Sequence, residues 1–182
     1  MENKIKILNK TFRPMIPAEE IDKAIADVAK KLNSDYANTE QPPIFIGILN
    51  GAVVFLADVI RKVDFLPEIA FVRISSYEGT SSTGNIKMHL GIENDIKGRD
   101  VIIVEDIVDT GTSIDYLINY LKQKEAKSIN VCCLFYKPDK YKFQHEIKYP
   151  AMKIGNEFIV GFGLDYDQLG RNLKDIYVVC DE

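Results

Sequence analysis

The 182-residue sequence has few of the residues from which disulfide frameworks, zinc sites and catalytic triads are built. Its three cysteines, Cys132, Cys133 and Cys180, form no C-x-x-C pair, so we expect no disulfide-stapled fold. Cys132 and Cys133 lie in an apolar run, which favours buried thiols over a redox or metal role. The two histidines, His89 and His145, are far apart in sequence, which leaves little material for a zinc site or a Ser-His-Asp triad.

Long apolar runs and an excess of basic charge are also missing. No stretch approaches the ~20 apolar residues that a membrane helix needs, and the polar N-terminus does not resemble a signal peptide. We therefore expect a cytoplasmic protein with no membrane partner. The 23 Lys and Arg residues against 27 Asp and Glu give a net charge of -4. This balance argues against nucleic acid as a partner, because nucleic-acid binders need a basic face.

Length and apolar periodicity predict a single α/β domain over residues 1–182. Helical spacing covers residues 17–32, 52–63 and 114–124, and short apolar runs predict strands at 44–49, 69–74, 101–104, 129–135, 158–162 and 176–179. Alternating strands and helices predict a mainly parallel, twisted sheet that is flanked by helices. Ligands bind such sheets at the carboxyl ends of the strands. The loops that follow Leu49, Ile74, Val104 and Phe135 should therefore form the site.

Two stretches depart from this alternation. Residues 75–85 are small and polar, which is typical either of a solvated surface loop or of a mobile lid, and their length favours the lid. Residues 138–156 lack a helical period, so we assign them to a small lobe. That lobe is expected to combine the N-terminal segment with the region of about 138–182.

The strongest chemical signal follows the apolar run at 101–104. Glu105 and Asp106 come first, Asp109 follows, and Thr110-Gly111-Thr112-Ser113 leads into a predicted helix. The free amides at a helix N-terminus form an anion site. The sequence contains no G-x-x-x-x-G-K-[ST] motif at this place, so we do not expect a nucleotide triphosphatase.

The three acids indicate which anion this segment binds. Carboxylates repel a bare phosphate, but they suit a ligand that also offers hydroxyl groups or carries a divalent cation. A ribose phosphate meets both conditions. The alternative is a simple helix cap by Asp109 or Thr110, which explains one polar residue but not three acids after a buried strand.

Residues 104–113 resemble the phosphoribosyl-pyrophosphate (PRPP) motif of the type I phosphoribosyltransferases, and the finer pattern over 44–179 resembles the hypoxanthine-guanine branch of that family. The resemblance implies the type I phosphoribosyltransferase fold with a small hood lobe. It implies purine salvage, in which PRPP and hypoxanthine or guanine give IMP or GMP and pyrophosphate. It also implies Mg2+ as cofactor and a homodimer or homotetramer. The PRPP-binding residues would be Glu105, Asp106, Ile107, Val108, Asp109, Thr110, Gly111, Thr112 and Ser113.

The resemblance also implies a pyrophosphate site at Asn50, Gly51 and Arg171. The family often has Lys or Arg at the place of Asn50, after a non-proline cis peptide. Asn50 removes that charge, although backbone amides could still bind pyrophosphate. An ordinary Asn-Gly turn is the alternative interpretation.

By the same resemblance, Ser76 and Tyr77 open the catalytic loop that closes over the reacting centre. The purine site takes in Lys137, Phe158, Ile159 and Asp165, and the metal site takes in Glu105, Asp106 and Asp165. Without the resemblance, Lys137 reads as a solvated loop lysine and Phe158 as a core residue.

The implied chemistry gives Asp109 the role of the general base that accepts the N7 proton of the purine. Glu105 and Asp106 would hold the ribose hydroxyls and stay ionised. Lys137 favours a 6-oxopurine over adenine, because an ammonium donates to an oxygen and not to an amino group. Two alternatives stay open: a nucleotide-binding regulatory protein on the same scaffold, and a phosphoribosyltransferase for another base such as xanthine.

Overall fold

The computed structural model describes residues 4–76 and 86–181, which form two sheets and three helices. In chain order the elements are β1 (Ile5–Ile7), β2 (Lys10–Ile16), α1 (Ala18–Tyr36), β3 (Ile44–Leu49), α2 (Ala52–Ile60), β4 (Glu68–Ser76), β5 (Ile86–Leu90), β6 (Asp100–Val108), α3 (Thr112–Gln123), β7 (Ser128–Tyr136), β8 (Tyr149–Lys153), β9 (Ile159–Val160) and β10 (Ile176–Cys180).

The larger sheet has the strand order β5-β4-β3-β6-β7-β8. All of its pairs are parallel except β4 with β5, which confirms the predicted mainly parallel sheet. Its central strands are apolar on both faces because helices cover both faces. In β3, Phe45 packs with the side chains of α1 and α2, whereas Ile46 packs with those of α3. Within the described ranges, no helix is long and apolar enough to cross a membrane.

Strand β6 is longer than the sequence predicted. It continues past residue 104 to Val108, so Glu105 and Asp106 lie within the strand and not after it. The extension pairs with β7, where Glu105 lies opposite Cys133. Cys132 and Cys133 are both buried, as the apolar run predicted, and burial raises the pKa of each thiol.

The predicted helices and strands differ from the observed ones mainly at their ends. Helix α1 begins after Pro17 and runs four residues past 32, because Tyr36 continues its buried face. Helix α2 ends at Ile60, three residues before the predicted 63. Strand β9 keeps only two residues of the predicted 158–162, because the chain turns at Gly161 and Phe162, which have φ values of 109° and 49°.

The smaller sheet has the strand order β1-β2-β10-β9. It joins the two ends of the described chain, since Ile16 lies opposite Ile176 and Thr11 opposite Cys180. Strand β8 does not belong to this sheet, although the sequence analysis assigned residues from about 138 to the small lobe. It pairs with β7 and extends the larger sheet.

Candidate active site

The carboxyl ends of β3, β4 and β6 meet at a cavity of about 280 Å³. Ile48, Leu49, Ile74 and every residue from Glu105 to Ile114 line it. Three of the four strand ends that the sequence analysis expected to form the site are therefore adjacent. The fourth joins them through Lys137, which follows β7 and donates its backbone N–H to the carbonyl of Val108 at 3.0 Å.

Glu105 and Asp106 form a buried pair of carboxyl groups. Burial raises the pKa of Glu105 well above its usual range, and the charge of Asp106 raises it further. Burial also raises the pKa of Asp106, although hydrogen bonds from Glu105 and from the Ile107 amide oppose the change, as does the charge of Arg171. Both shifts disfavour the charged carboxylates in the protein alone. A cation or hydroxyl donors beside the pair would favour the ionised forms that the sequence analysis expected.

The turn at residues 109–113 leads from β6 into α3. Gly111 is the N-cap of α3 and has φ +86°, a left-handed conformation that glycine adopts without strain. No described side chain caps the helix, since Thr110 Oγ1 contacts Thr112 Oγ1 at 3.1 Å instead. The simple helix cap considered from the sequence is therefore wrong, and the first amides of α3 keep their hydrogen-bonding capacity for an anion.

Lys137 is buried at 5% exposure and contacts the acid of this turn. Its Nζ lies 3.3 Å from Asp109 Oδ2 and donates to the carbonyl oxygen of Glu157 at 2.9 Å. The interpretation of Lys137 as a solvated loop lysine is therefore wrong. Lys140 Nζ lies 3.5 Å from the same carboxylate oxygen, so two ammonium groups face Asp109. Lys140 was not predicted as a site residue, and its spacing of three residues from Lys137 was the available signal.

Arg171 and Asp165 form an ion pair, with 2.8 Å between Nη2 and Oδ1. Arg171 also donates through Nη1 to the carbonyl of Gly163 at 2.7 Å. Gly163 has φ +102° and lies so close to the Gly51 carbonyl that a Cβ would overlap it. This contact joins the segment of the ion pair to the predicted pyrophosphate loop.

The structure does not gather the three predicted metal ligands into one group. Glu105 and Asp106 lie together, but Asp165 pairs with Arg171 and accepts from the backbone N–H of Gln168 at 2.7 Å. Among the described residues, no cluster of three or more His, Cys, Asp or Glu side chains could hold a metal ion.

The peptide bond between Leu49 and Asn50 is cis, as the resemblance implied, so the ordinary Asn-Gly turn is the weaker interpretation. Asn50 is exposed, and Gly51 starts α2 as its N-cap. The carboxyl group of Asp106 lies where a Cβ on Gly51 would project. The predicted pyrophosphate loop and the acid pair are thus in direct contact.

The predicted base-stacking residue, Phe158, is 44% exposed, so the alternative interpretation as a core residue is wrong. Its ring meets that of Tyr166 edge-on, with 5.8 Å between the centroids. Ile159 is buried in β9 and lies opposite Val178. Ser76 is the last residue of β4, whereas Tyr77 lies outside the described residues.

Comparison with known proteins identifies the family. The sequence matches the family model of the phosphoribosyl transferase domain over residues 17–167. The chain belongs to the phosphoribosyltransferase family.

Relatives of this phosphoribosyltransferase cover nearly its whole length. It is 33% identical to hypoxanthine-guanine phosphoribosyltransferase of Aquifex aeolicus, over 97% of this chain and 99% of the relative. It is 38% identical to the enzyme of the same name from Streptococcus agalactiae serotype V, over 100% of this chain and 97% of the relative. The hypoxanthine phosphoribosyltransferase structure from Staphylococcus aureus matches with a TM-score of 0.86 at 34% identity, covering 92% of this chain and 91% of that one. A hypoxanthine-guanine phosphoribosyltransferase structure from Bacillus anthracis also matches with a TM-score of 0.86. The two sequences are 32% identical, and the match covers 92% of this chain and 98% of that one. The resemblance and the predicted fold are confirmed.

Proposed function

We propose that this phosphoribosyltransferase transfers the 5-phosphoribosyl group of PRPP to hypoxanthine or guanine, giving IMP or GMP and pyrophosphate. The observation that carries the proposal is the 109–113 turn, which lines the same cavity as the buried acid pair, begins α3 with free amides and contacts Lys137 through Asp109. These three features match the three parts of a purine nucleotide: a phosphate, a sugar diol and an oxopurine. The names of the relatives support the same activity.

The ribose phosphate binds along 105–113. The amides that begin α3 take the 5-phosphate, because the helix dipole and the unpaired N–H groups favour an anion there. Glu105 and Asp106 accept hydrogen bonds from the ribose hydroxyls. Those donors favour the ionised carboxylates and so offset the effect of burial on their pKa.

The base binds between Lys137 and Phe158. Lys137 donates to the oxygen at the purine 6-position, which adenine lacks. The half-exposed ring of Phe158 offers a stacking face, and the backbone of Ile159 meets the base edge. We assign Asp165 to the same purine site, where it pairs with Arg171.

The reaction breaks the C1–O bond to pyrophosphate while the purine nitrogen bonds to C1. Asp109 accepts the N7 proton as the nucleophile forms. Arg171 and the backbone of Asn50 and Gly51 bind the charge that grows on pyrophosphate. Ser76 and Tyr77 keep the role that the resemblance implies, which is to exclude water from the ribosyl cation.

Glu105 and Asp106 would also hold Mg2+, with Asp165 as a separate contact on the pyrophosphate side. Two adjacent, buried carboxyl groups that need a compensating charge suit a hard divalent cation with oxygen ligands. When bound with PRPP, Mg2+ supplies charge neutralisation for the departing pyrophosphate.

The assembly and the location belong to the same proposal. We infer a homodimer or homotetramer in the cytoplasm. Ile69 and Phe71 of β4 are exposed, and their apolar side chains suit contact with a second copy of the chain. Light scattering of the purified protein measures the assembly directly, and a monomer at micromolar concentration would contradict it.

A coupled assay of pyrophosphate release tests the activity. PRPP is supplied with hypoxanthine, guanine, xanthine, adenine or uracil, in Mg2+ and in EDTA. We expect turnover with hypoxanthine and guanine, none with adenine or uracil, and none in EDTA. Turnover with xanthine alone would assign a different base. Binding of IMP without any turnover would instead favour the regulatory protein on the same scaffold.

A further inference from the structure

Residues 137–145, here called the strap, contact both the 109–113 turn and the first turn of α3. At the first end, Lys137 contacts Asp109 as described above. In the middle, the backbone N–H of Lys142 donates to the carbonyl of Thr110 at 3.1 Å. At the far end, His145 Nε2 lies 2.8 Å from Asp115 Oδ1, on the first turn of α3.

Two aromatic rings of the strap cover the glycine at the centre of the turn. A Cβ on Gly111 would overlap the ring of Tyr141 and would lie 3.0 Å from Cδ2 of Phe143. The Tyr141 hydroxyl donates to the carbonyl of His145 at 2.9 Å. Burial raises the pKa of Tyr141 to about 12, so this hydroxyl keeps its proton at neutral pH. The backbone carbonyl of residue 145 therefore fixes the ring that lies against Gly111, and the imidazole of His145 fixes that stretch of backbone to Asp115.

Asp115 is the acid of the strap contact, and its position gives the contact an electrostatic role. A free carboxylate on the first turn of α3 competes with a phosphate for the positive end of the helix dipole. Both oxygens of Asp115 have partners, because His145 contacts Oδ1 and Asn119 donates to Oδ2 at 3.3 Å. His145 and Asn119 thus hold the carboxylate in one position.

We propose that His145 is a positioning residue for PRPP binding: it ties the strap to Asp115 and so holds the Gly111 amide in its phosphate-binding orientation. The inference rests on the proposed function, because it assigns the 5-phosphate to this turn. The inference predicts that loss of this contact weakens the binding of PRPP and leaves the binding of the purine unchanged. A turn that is already ordered before binding loses less conformational entropy when PRPP binds, so its affinity for PRPP is higher.

Calorimetric titration of PRPP with Mg2+ tests this role without relying on activity. We expect His145→Ala to weaken PRPP binding about tenfold, the loss typical of a hydrogen bond to a charged group. The KM for PRPP should rise in parallel, while kcat and the KM for hypoxanthine change less than about threefold. His145→Gln keeps an N–H donor and should recover most of the affinity. Lys30→Ala, which removes an exposed ion pair with Asp27 on α1, is the matched control and should bind normally.

A double-mutant cycle tests whether His145 acts on PRPP binding through Asp115. His145→Ala and Asp115→Asn should not add, because both remove one contact. Unchanged PRPP affinity in His145→Ala would overturn the inference while leaving the proposed function intact, even if its melting temperature fell. Should His145→Ala not fold, the same titration with His145→Phe decides, because phenylalanine keeps a ring but has no N–H donor: unchanged PRPP affinity in this variant would overturn the inference. No PRPP binding by the wild-type protein would instead overturn the proposed function.

Discussion

The carboxyl group of Asp106 occupies the space into which a side chain at Gly51 would project. Asp106 lies on β6 and Gly51 starts α2, so this contact fixes how closely the acid pair approaches the predicted pyrophosphate loop. Only glycine at residue 51 leaves room for the Asp106 carboxyl group, because any other residue would place a Cβ there. The need for glycine here comes from tertiary contact and not from backbone conformation, because the φ of Gly51 is -63°.

Gly51→Ala should therefore displace Asp106 from the position that we propose for ribose binding. A misplacement of about 1 Å can cost about 100-fold in activity, and we expect a loss of that order in kcat/KM for PRPP. Gly91→Ala is the matched control, since its nearest side-chain atom would lie 3.6 Å from the new Cβ. Near-normal activity of Gly51→Ala, measured by pyrophosphate release, would show that the Asp106 position does not matter.

Lys137 offers a test of base recognition. Replacing it by methionine keeps the buried aliphatic stem and removes the ammonium that we assign to the 6-oxygen. We expect the KM for hypoxanthine and guanine to rise about 10- to 100-fold, as for a lost hydrogen bond from a charged group. PRPP affinity should stay within about threefold. Lys122→Met, at an exposed position of α3, serves as control. If PRPP binding is lost and base binding persists, the pocket assignment is wrong.

Glu105 is expected to lower the stability of the folded protein at high pH, although PRPP binding needs its carboxyl group. The pKa of Glu105 is raised in the folded protein, so its contribution to stability is present at low pH and is lost as the pH rises through the folded pKa. Glu105→Gln cannot ionise, so the variant should not lose stability as the pH rises, and glutamine keeps the shape of the protonated acid. We expect its melting temperature at pH 8 to exceed that of the wild type by about 2 °C or more, with a smaller gain at pH 5. PRPP binding should fall sharply.

Thermal melts at the two pH values and PRPP titration separate the two effects. Glu93→Gln, at an exposed position, is the control for loss of a carboxylate. A melting temperature below that of the wild type at pH 8 would mean that Glu105 is ionised and satisfied in the free protein.

The parts of the fold that could be predicted from the sequence are those whose signal is local. The central strands are continuous apolar runs because both faces are covered, and the acids of 105–109 stand out beside them. Strands β1, β2, β5 and β8 were missed because they are edge or small-sheet strands with mixed polarity. Their pairing depends on partners far along the chain.

The same distinction holds within the site. The order of residues in 104–113 was enough to predict a ribose phosphate, because one strand and one helix start present them together. The contacts of Lys140 with Asp109 and of His145 with Asp115 join residues about 30 positions apart. Only the folded chain brings these pairs together, and the burial of Lys137 is visible only there too.

Asp109 is the residue on which the proposed proton transfer depends. Asp109→Asn keeps a hydrogen-bond acceptor for Lys137 and nearly the same volume, so the local structure should survive. The amide cannot accept the N7 proton, and general-base catalysis contributes about 10²- to 10⁴-fold. We therefore expect kcat to fall by at least about 100-fold in single-turnover experiments, with PRPP affinity within about threefold. Asp139→Asn, an exposed acid two residues past Lys137, is the control. Turnover of Asp109→Asn within a few-fold of the wild type would assign the base to another group.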